Sequence, residues 1–122
     1  MKDSILLTRS KVFALRVVRL YKYLRDRKES VIAKQMLRSG TSIGANIAES
    51  RYAQSKSDFA SKLQIALKEA AETEYWLELL RDSELVEQSP AFDSLSTDCT
   101  ELIKLLTANV KTAKENAFHL IQ

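Results

Sequence analysis

The chain contains only two glycines and one proline, and both glycines lie in one segment, at Gly40 and Gly44. An all-β fold needs a turn roughly every 8 to 12 residues, and glycine and proline supply many of those turns. A chain of 122 residues with so few of them favours helices instead, and it is rich in Ala, Leu, Glu, Lys and Ser. The sequence therefore predicts an all-α protein with one domain over residues 1–122.

Apolar residues recur with the 3.6-residue period of an α-helix in four segments, predicted at about residues 10–27, 30–52, 58–82 and 90–114. Ser10, a serine within residues 55–58, and Ser89 before Pro90 are the predicted N-terminal caps. The polar breaks between the segments are short, and short connections favour antiparallel neighbours. These features predict an up-down-up-down four-helix bundle.

The first predicted helix has apolar residues on two sides. Its main stripe is typical of a core-facing surface and consists of Phe13, Val17, Leu20, Tyr21 and Leu24. Val12, Leu15 and Val18 lie on the other side, among lysines and arginines. Because a second apolar face on a short helix suggests contact with another subunit, we expect a homo-oligomer.

The two glycines lie inside an unbroken apolar pattern in the second predicted helix. The pattern keeps spacings of three or four residues through Ile32, Met36, Gly40, Ile43 and Ile47. A continuous helix would use Gly40 and Gly44 as a groove for close approach of another backbone, at a cost of about 1 kcal/mol per glycine. The alternative is a break or kink within residues 39–42. Asn46 and Glu49, beside the glycines, are predicted to hydrogen-bond to neighbouring helices and to fix their register.

Charge is distributed unevenly along the chain. Residues 1–38 contain 11 Lys or Arg and three Asp or Glu, a balance of +8, whereas residues 39–122 have a balance of −5. Such a basic element can contact phosphates without reading sequence. The candidate phosphate-binding residues are Arg16, Arg19, Lys22, Arg25, Arg27, Lys28 and Arg38.

The sequence offers little material for catalysis, cofactor binding or metal binding. It has one histidine, His119, and one cysteine, Cys99. Cys99 lies on an apolar helical stripe and is predicted to be a buried hydrophobe rather than a nucleophile. We therefore expect no enzyme activity and no cofactor. No segment has the roughly 18 apolar residues of a membrane span, and no secretory signal is found, so we expect a cytoplasmic protein with no membrane partner.

One combination of motifs resembles a known family. The stretch SGTSIGANIAES at residues 39–50, Ser57-Asp-Phe, and the run from Ile65 to Leu77 look like the bacterial 23S rRNA intervening-sequence proteins. That family is similar in fold to the accessory variability protein of diversity-generating retroelements, a pentameric basic barrel that partners a reverse transcriptase and nucleic acid. The resemblance implies a four-helix subunit, a ring-shaped homopentamer, and RNA, DNA or a partner protein such as a reverse transcriptase. It implies no established biochemical activity.

Two functional hypotheses follow from the sequence. In the first, the basic residues of helix one bind nucleic acid. In the second, the protein is an interaction scaffold, and the same cations pair with an acidic third helix of a neighbouring subunit. The acidic residues concerned are Glu69, Glu72, Glu74 and Glu78.

Overall fold

A computed structural model describes residues 2–121 of the chain, with side chains described for residues 5–118. It contains four α-helices: α1 (Lys2–Asp26), α2 (Val31–Ser50), α3 (Lys56–Asp82) and α4 (Pro90–Ile121). Each helix packs against the next one in the chain, and α4 also packs against α1. Short connections at residues 27–30, 51–55 and 83–89 make consecutive helices antiparallel. The prediction of an all-α four-helix bundle is confirmed.

The predicted apolar stripes form one core between the four helices. The apolar stripes of the third and fourth predicted helices are buried: Leu63, Ala66, Ala70, Thr73, Leu77 and Leu80 in α3, and Phe92, Leu95, Cys99, Leu102, Leu106, Val110 and Ala113 in α4. Phe13, Val17 and Leu24 supply the α1 side of this core. Burial of a large apolar side chain contributes about 1.5 to 3 kcal/mol, so these stripes dominate the stability of the bundle.

The first helix begins earlier than predicted. Ser10 is not its cap: Ser10 lies inside α1, fully buried, and its hydroxyl donates a hydrogen bond to the Leu7 carbonyl at 3.1 Å. The helix extends to Lys2 because Leu6 continues the buried stripe for a further turn. At the other end of the chain, α4 continues to Ile121, beyond the predicted end at residue 114.

The other two predicted caps are present. The Ser55 hydroxyl accepts a hydrogen bond from the Asp58 backbone N–H at 3.0 Å, and α3 begins at Lys56. The Ser89 hydroxyl accepts one from the Phe92 N–H at 3.1 Å, just before α4 begins at Pro90. Serine caps thus define the starts of α3 and α4.

The glycine segment is part of one continuous helix. α2 runs unbroken from Val31 to Ser50, and neither glycine has a positive φ. The glycines face α1: a β-carbon on Gly40 would lie 2.9 Å from Val17 Cγ1, and one on Gly44 would lie 3.3 Å from Ser10 Oγ. The absence of side chains at these two positions therefore lets α1 and α2 approach closely.

Candidate nucleic-acid interface

The seven candidate phosphate-binding residues separate into two groups in the structure. Arg16 belongs to the group that is engaged within the chain. Its guanidinium donates hydrogen bonds to the Asp98 carboxylate and, at 3.1 Å, to the Ala91 carbonyl. Among the described residues this is the one ion pair that joins α1 to α4. Arg16 is thus held at a helix contact and its charge is compensated.

Arg38 is also engaged. It donates hydrogen bonds to Glu69, at 3.1 Å, and to Glu72 on α3. Trp76 Nε1 donates to the same Glu72 carboxylate at 2.9 Å. The hydrogen bond from Arg38, followed by that from Trp76, lowers the pKa of Glu72, and the hydrogen bond to Glu72 raises the pKa of Arg38. Two carboxylates of the acidic third helix are therefore paired with a cation of their own chain.

The other five candidates lie together and are exposed to solvent. They occupy the last turns of α1 and the α1–α2 connection, and we call them the basic corner: Arg19, Lys22, Arg25, Arg27 and Lys28. Arg19 and Lys22 form no ion pair with any described residue. Arg25 lies 3.3 Å from the neighbouring Asp26, and both side chains of that pair are more than half exposed. Charge at this corner is compensated only weakly.

Two tyrosines lie among these cations and were not predicted to take part in the site. The guanidinium carbon of Arg27 lies 3.7 Å from the centre of the Tyr23 ring, and that of Arg25 lies 6.0 Å from the centre of the Tyr21 ring. Tyr23 is 37% exposed. The Tyr-x-x-x-Arg spacing, which puts both side chains on one helical face, was the available sequence signal for this stacking.

The backbone at the basic corner forms a tight helix ending. The Glu29 N–H donates to the Leu24 carbonyl and the Lys28 N–H to the Arg25 carbonyl, both at 2.9 Å, which is a Schellman motif. Lys28 occupies the left-handed position of this motif with a φ of 65°, where glycine is preferred. A lysine at this position is strained, and its side chain is exposed. Cations at a helix C-terminus also stabilise the helix dipole, which is a structural reason for part of this charge.

The helix that follows, α2, begins without a side-chain cap. Ser30 makes no side-chain capping hydrogen bond, and the first turn of α2 has no acidic residue. The unsatisfied N–H groups of a helix start carry partial positive charge. They add to the positive potential of the basic corner.

The α3–α4 connection lies at the same end of the bundle and is acidic. Glu84 and Glu87 lie in this connection, directly after Asp82, and all three are exposed. Between this connection and α1 is a groove of about 430 Å³, which we call the side groove. Its lining includes Arg19 and Tyr23 of the basic corner and Glu87. The side groove therefore lies where the basic and acidic parts of this end meet.

The second apolar face of α1 is exposed in the isolated chain. Val12 is 52% and Leu15 is 50% exposed, and Ile5 lies on the same side of the helix at 55%. Val18 is partly buried. A row of exposed aliphatic side chains along one helix is typical of a surface that another protein chain covers.

Of the two residues predicted to hydrogen-bond to neighbouring helices, Glu49 does so and Asn46 does not. The Asn46 amide donates to the Ser42 carbonyl of its own helix at 2.8 Å, not to a neighbouring helix. Glu49 is exposed, and it reaches Lys62 of α3 at 3.4 Å. The buried polar contact between α2 and α3 is instead the 2.8 Å hydrogen bond between the Thr73 and Ser39 hydroxyls. No sequence pattern predicts that Ser39 and Thr73 are partners, because serine and threonine are common residue types.

Cys99, the single cysteine of the sequence, lies in the core. Cys99 is buried, as predicted, with Sγ 3.5 Å from the Ala70 carbonyl. Burial, and to a smaller extent the nearby Glu74 charge, raises the pKa of the Cys99 thiol to about 12, so it stays protonated. No three His, Cys, Asp or Glu side chains among the described residues are grouped so as to hold a metal ion. The side chain of His119 lies outside the described residues.

The fold and this surface define an all-helical bundle with a basic corner and an exposed apolar face. None of its helices, over the described residues, has the length and apolar character needed to cross a bilayer. The profile of the 23S rRNA-intervening sequence protein family matches residues 2–108, and the chain belongs to this family.

A solved structure is similar to the chain over most of its length. The chain is 54% identical to a protein of unknown function from the S23 ribosomal protein family of Bacteroides thetaiotaomicron VPI-5482. The match covers 91% of this chain and 99% of that one, with a TM-score of 0.85. No curated protein matches the chain.

Proposed function

We propose that the protein is a non-enzymatic, oligomeric accessory protein that binds RNA or DNA through its basic corner. The observation that carries this proposal is the separation of the cations. Arg16 and Arg38 are compensated within the chain, whereas Arg19 and Lys22 have no carboxylate partner among the described residues. Uncompensated cations on one exposed corner attract a polyanion, because binding releases the counterions condensed on its phosphates.

The same geometry supports binding to the phosphate backbone rather than recognition of duplex sequence. The cations lie at a helix C-terminus and in a turn, so no helix N-terminus carries them into a major groove as in a recognition helix. Contacts of this kind fix position and contribute affinity, but they carry no sequence information. Affinity is therefore expected to depend strongly on salt and only weakly on duplex sequence.

Assembly would strengthen nucleic-acid binding, because each subunit would contribute its own basic corner. The exposed apolar face around Val12 and Leu15 is the surface that another subunit would cover. A ring-shaped homopentamer, which the resemblance to the retroelement accessory protein implies, would repeat the basic corner and bind a long polyanion through several weak sites at once. A reverse transcriptase is the class of partner protein implied by that resemblance, and the setting is cytoplasmic.

A second candidate function is an interaction scaffold. The observation that favours it is the acidic α3–α4 connection, which lies at the same end of the bundle as the basic corner. In an assembled ring, the basic corner of one subunit would pair with the acidic connection of the next. Such pairing would leave little positive surface for nucleic acid.

The two candidates differ in their response to salt. We would measure binding of labelled single-stranded RNA and duplex DNA at salt concentrations from about 50 mM to 200 mM. For phosphate binding, the logarithm of the affinity falls with the logarithm of the salt concentration, with a slope of about −0.7 per contact for single strands and −0.9 for duplexes. No salt-sensitive binding at about 50 mM would reject the proposal in favour of the scaffold.

A double variant and a matched control test whether the basic corner is the binding surface. Arg19→Glu with Lys22→Glu should weaken binding to all sequences alike and reduce the slope by about two contacts per engaged subunit. The matched control is Lys111→Glu with Lys114→Glu, which makes the same change in net charge on the exposed surface of α4. Equal loss of affinity in both double variants would show a general effect of charge, not a site. Light scattering must show that each variant keeps the wild-type mass.

Lys28→Gly separates binding from stability. Glycine relieves the left-handed φ of 65°, so we expect unfolding to cost about 1 kcal/mol more. The same change removes one cation from the basic corner. A variant that is more stable than the wild type and binds RNA less tightly therefore cannot owe its weaker binding to unfolding.

A further inference from the structure

The side groove has the composition of a small ligand site. Its floor is apolar and includes Leu20, Val86 and Phe92. Its polar lining includes Arg19, Tyr23 and Glu87. A volume of about 430 Å³ is within the usual range of ligand pockets, which are mostly apolar with a few polar groups that set orientation.

We propose that the side groove binds one unpaired base of a single-stranded nucleic acid, with a preference for guanine. This inference rests on the proposed function, because the phosphates of the same strand would lie on the basic corner. A base within a duplex is stacked and paired and cannot enter a groove between α1 and the α3–α4 connection. Single strands, whose bases can turn outward, are the form of nucleic acid that suits the groove.

Tyr23 would contact the base of the bound nucleotide, and Arg19 would contact its phosphate. Tyr23 lines the groove and is held by Arg27, whose guanidinium carbon lies 3.7 Å from the ring centre. Aromatic rings fixed next to a basic surface are the usual platform on which unpaired bases stack. Arg19 lines the same groove without a carboxylate partner among the described residues, so it is available to the phosphate. Arg16 also lines the groove. Because its guanidinium is hydrogen-bonded to Asp98 and to the Ala91 carbonyl, it forms part of the groove wall and does not bind the phosphate.

Glu87 gives the preference for guanine. Glu87 lines the groove, is exposed, and has no hydrogen bond or ion pair with a described residue. An ionised carboxylate only accepts hydrogen bonds, through two oxygens. The Watson–Crick edge of guanine presents two adjacent N–H donors, which match those oxygens. Adenine, cytosine and uracil each present an acceptor beside a single donor position, and that acceptor would face the negative charge.

The test uses the full-length protein and oligouridines of about 12 nucleotides with one central base replaced by guanine, adenine or cytosine. Fluorescence anisotropy at one fixed salt concentration gives the affinities for these three strands and for the unsubstituted oligouridine. We expect the guanine-containing strand to bind about tenfold more tightly than the others, which is the usual discrimination by one bidentate contact. Equal affinities for the four strands would overturn the proposal while leaving phosphate binding intact.

Two variants and one control locate the preference. Glu87→Gln should abolish the guanine preference, whereas Glu84→Gln, which removes the same charge from the same connection, should keep it. Tyr23→Leu should weaken binding of every single strand by about tenfold. A guanine preference that survives Glu87→Gln would overturn the assignment of Glu87.

Other outcomes are also decisive. If Tyr23→Leu lowers the mass of the assembly in light scattering and no strand is preferred, the groove is an interface between copies of the chain and the proposal is wrong. If the wild-type protein binds no strand in a salt-sensitive way, the proposed function fails, and this inference fails with it.

Discussion

Gly40 on α2 lies so close to Val17 on α1 that a β-carbon added to the glycine would be 2.9 Å from Val17 Cγ1 and 3.0 Å from Cγ2. The first distance is shorter than real β-carbon contacts, and the second is at the lower limit of them. Val17 is fully buried and β-branched, so it has little freedom to rotate away. At this point the packing of the first two helices is therefore limited by one glycine and one valine.

Replacing Gly40 by alanine should destabilise the protein although alanine is the better helix former. Overpacking against Val17 costs about 1 to 3 kcal/mol, and helix propensity returns about 1 kcal/mol. We expect urea unfolding to show a net loss of about 1 kcal/mol. Gly44→Ala is the matched control, because its β-carbon would meet Ser10 Oγ at 3.3 Å, and we expect a change near zero. A Gly40→Ala protein as stable as the wild type would show that α1 shifts freely.

A larger side chain at Gly44 should be poorly tolerated. A β-carbon on Gly44 would already contact Ser10, at 3.3 Å from Oγ and 3.6 Å from the carbonyl oxygen, so the further atoms of a leucine would crowd α1. We expect Gly44→Leu to lose about 1 to 3 kcal/mol of stability or to disperse the oligomer. An unchanged melting temperature with an unchanged mass would mean that this contact is absent in solution.

The network of Arg38, Glu72 and Trp76 should make stability depend on acid pH. Because the pKa of Glu72 is lowered in the folded chain, the unfolded chain takes up the proton first as the pH falls below the ordinary value of about 4.5. The stabilisation that ionised Glu72 provides at neutral pH is therefore lost as the pH falls from that value through the lower folded pKa.

Urea unfolding of the wild type and Glu72→Gln tests this dependence. The variant should be less stable at neutral pH, and the difference should shrink below about pH 4.5. Glu115→Gln, on the exposed surface of α4, should follow the wild type throughout. A difference between wild type and Glu72→Gln that stays constant through the acid range would contradict the assignment.

The exposed aliphatic face of α1 should control assembly. We expect the wild-type mass in light scattering to be a multiple of 13.9 kDa, and Leu15→Glu to give the mass of one chain, because a buried unpaired carboxylate is costly. Val31→Glu is the control, since Val31 is 80% exposed on a different helix, and this variant should keep the wild-type mass. A wild-type mass near 13.9 kDa at micromolar concentration would disprove the assembly.

The sequence predicted best those structural features that depend only on residues within one helix. The continuity of α2 through Gly40 and Gly44 follows from an apolar period that does not reset, and the Ser89 cap follows from local chemistry. Ser10 was misassigned as a cap because a small buried serine inside a helix and a capping serine have the same local pattern. The pairing of Arg16 with Asp98 joins residues 82 positions apart, and no local pattern specifies it.

The candidate site was also only partly predictable, because contacts between residues far apart in the sequence determine it. A run of cations in one segment predicts a basic surface, but which cations stay uncompensated depends on carboxylates brought in by other helices. Glu69 and Glu72 compensate Arg38 from α3, and Asp98 compensates Arg16 from α4. The side groove was not predictable at all, because its lining comes from α1, the α3–α4 connection and α4.

The way α1 meets α4 has a consequence for how the chain folds. Every other pair of packed helices is consecutive in the chain, so most native contacts close short loops at little entropic cost. Such a topology folds rapidly, on the order of microseconds to milliseconds. The α1–α4 seam alone closes a long loop, and we expect it to form last and to open first. The groove at this seam would then belong to the part of the molecule that exchanges its amide protons soonest.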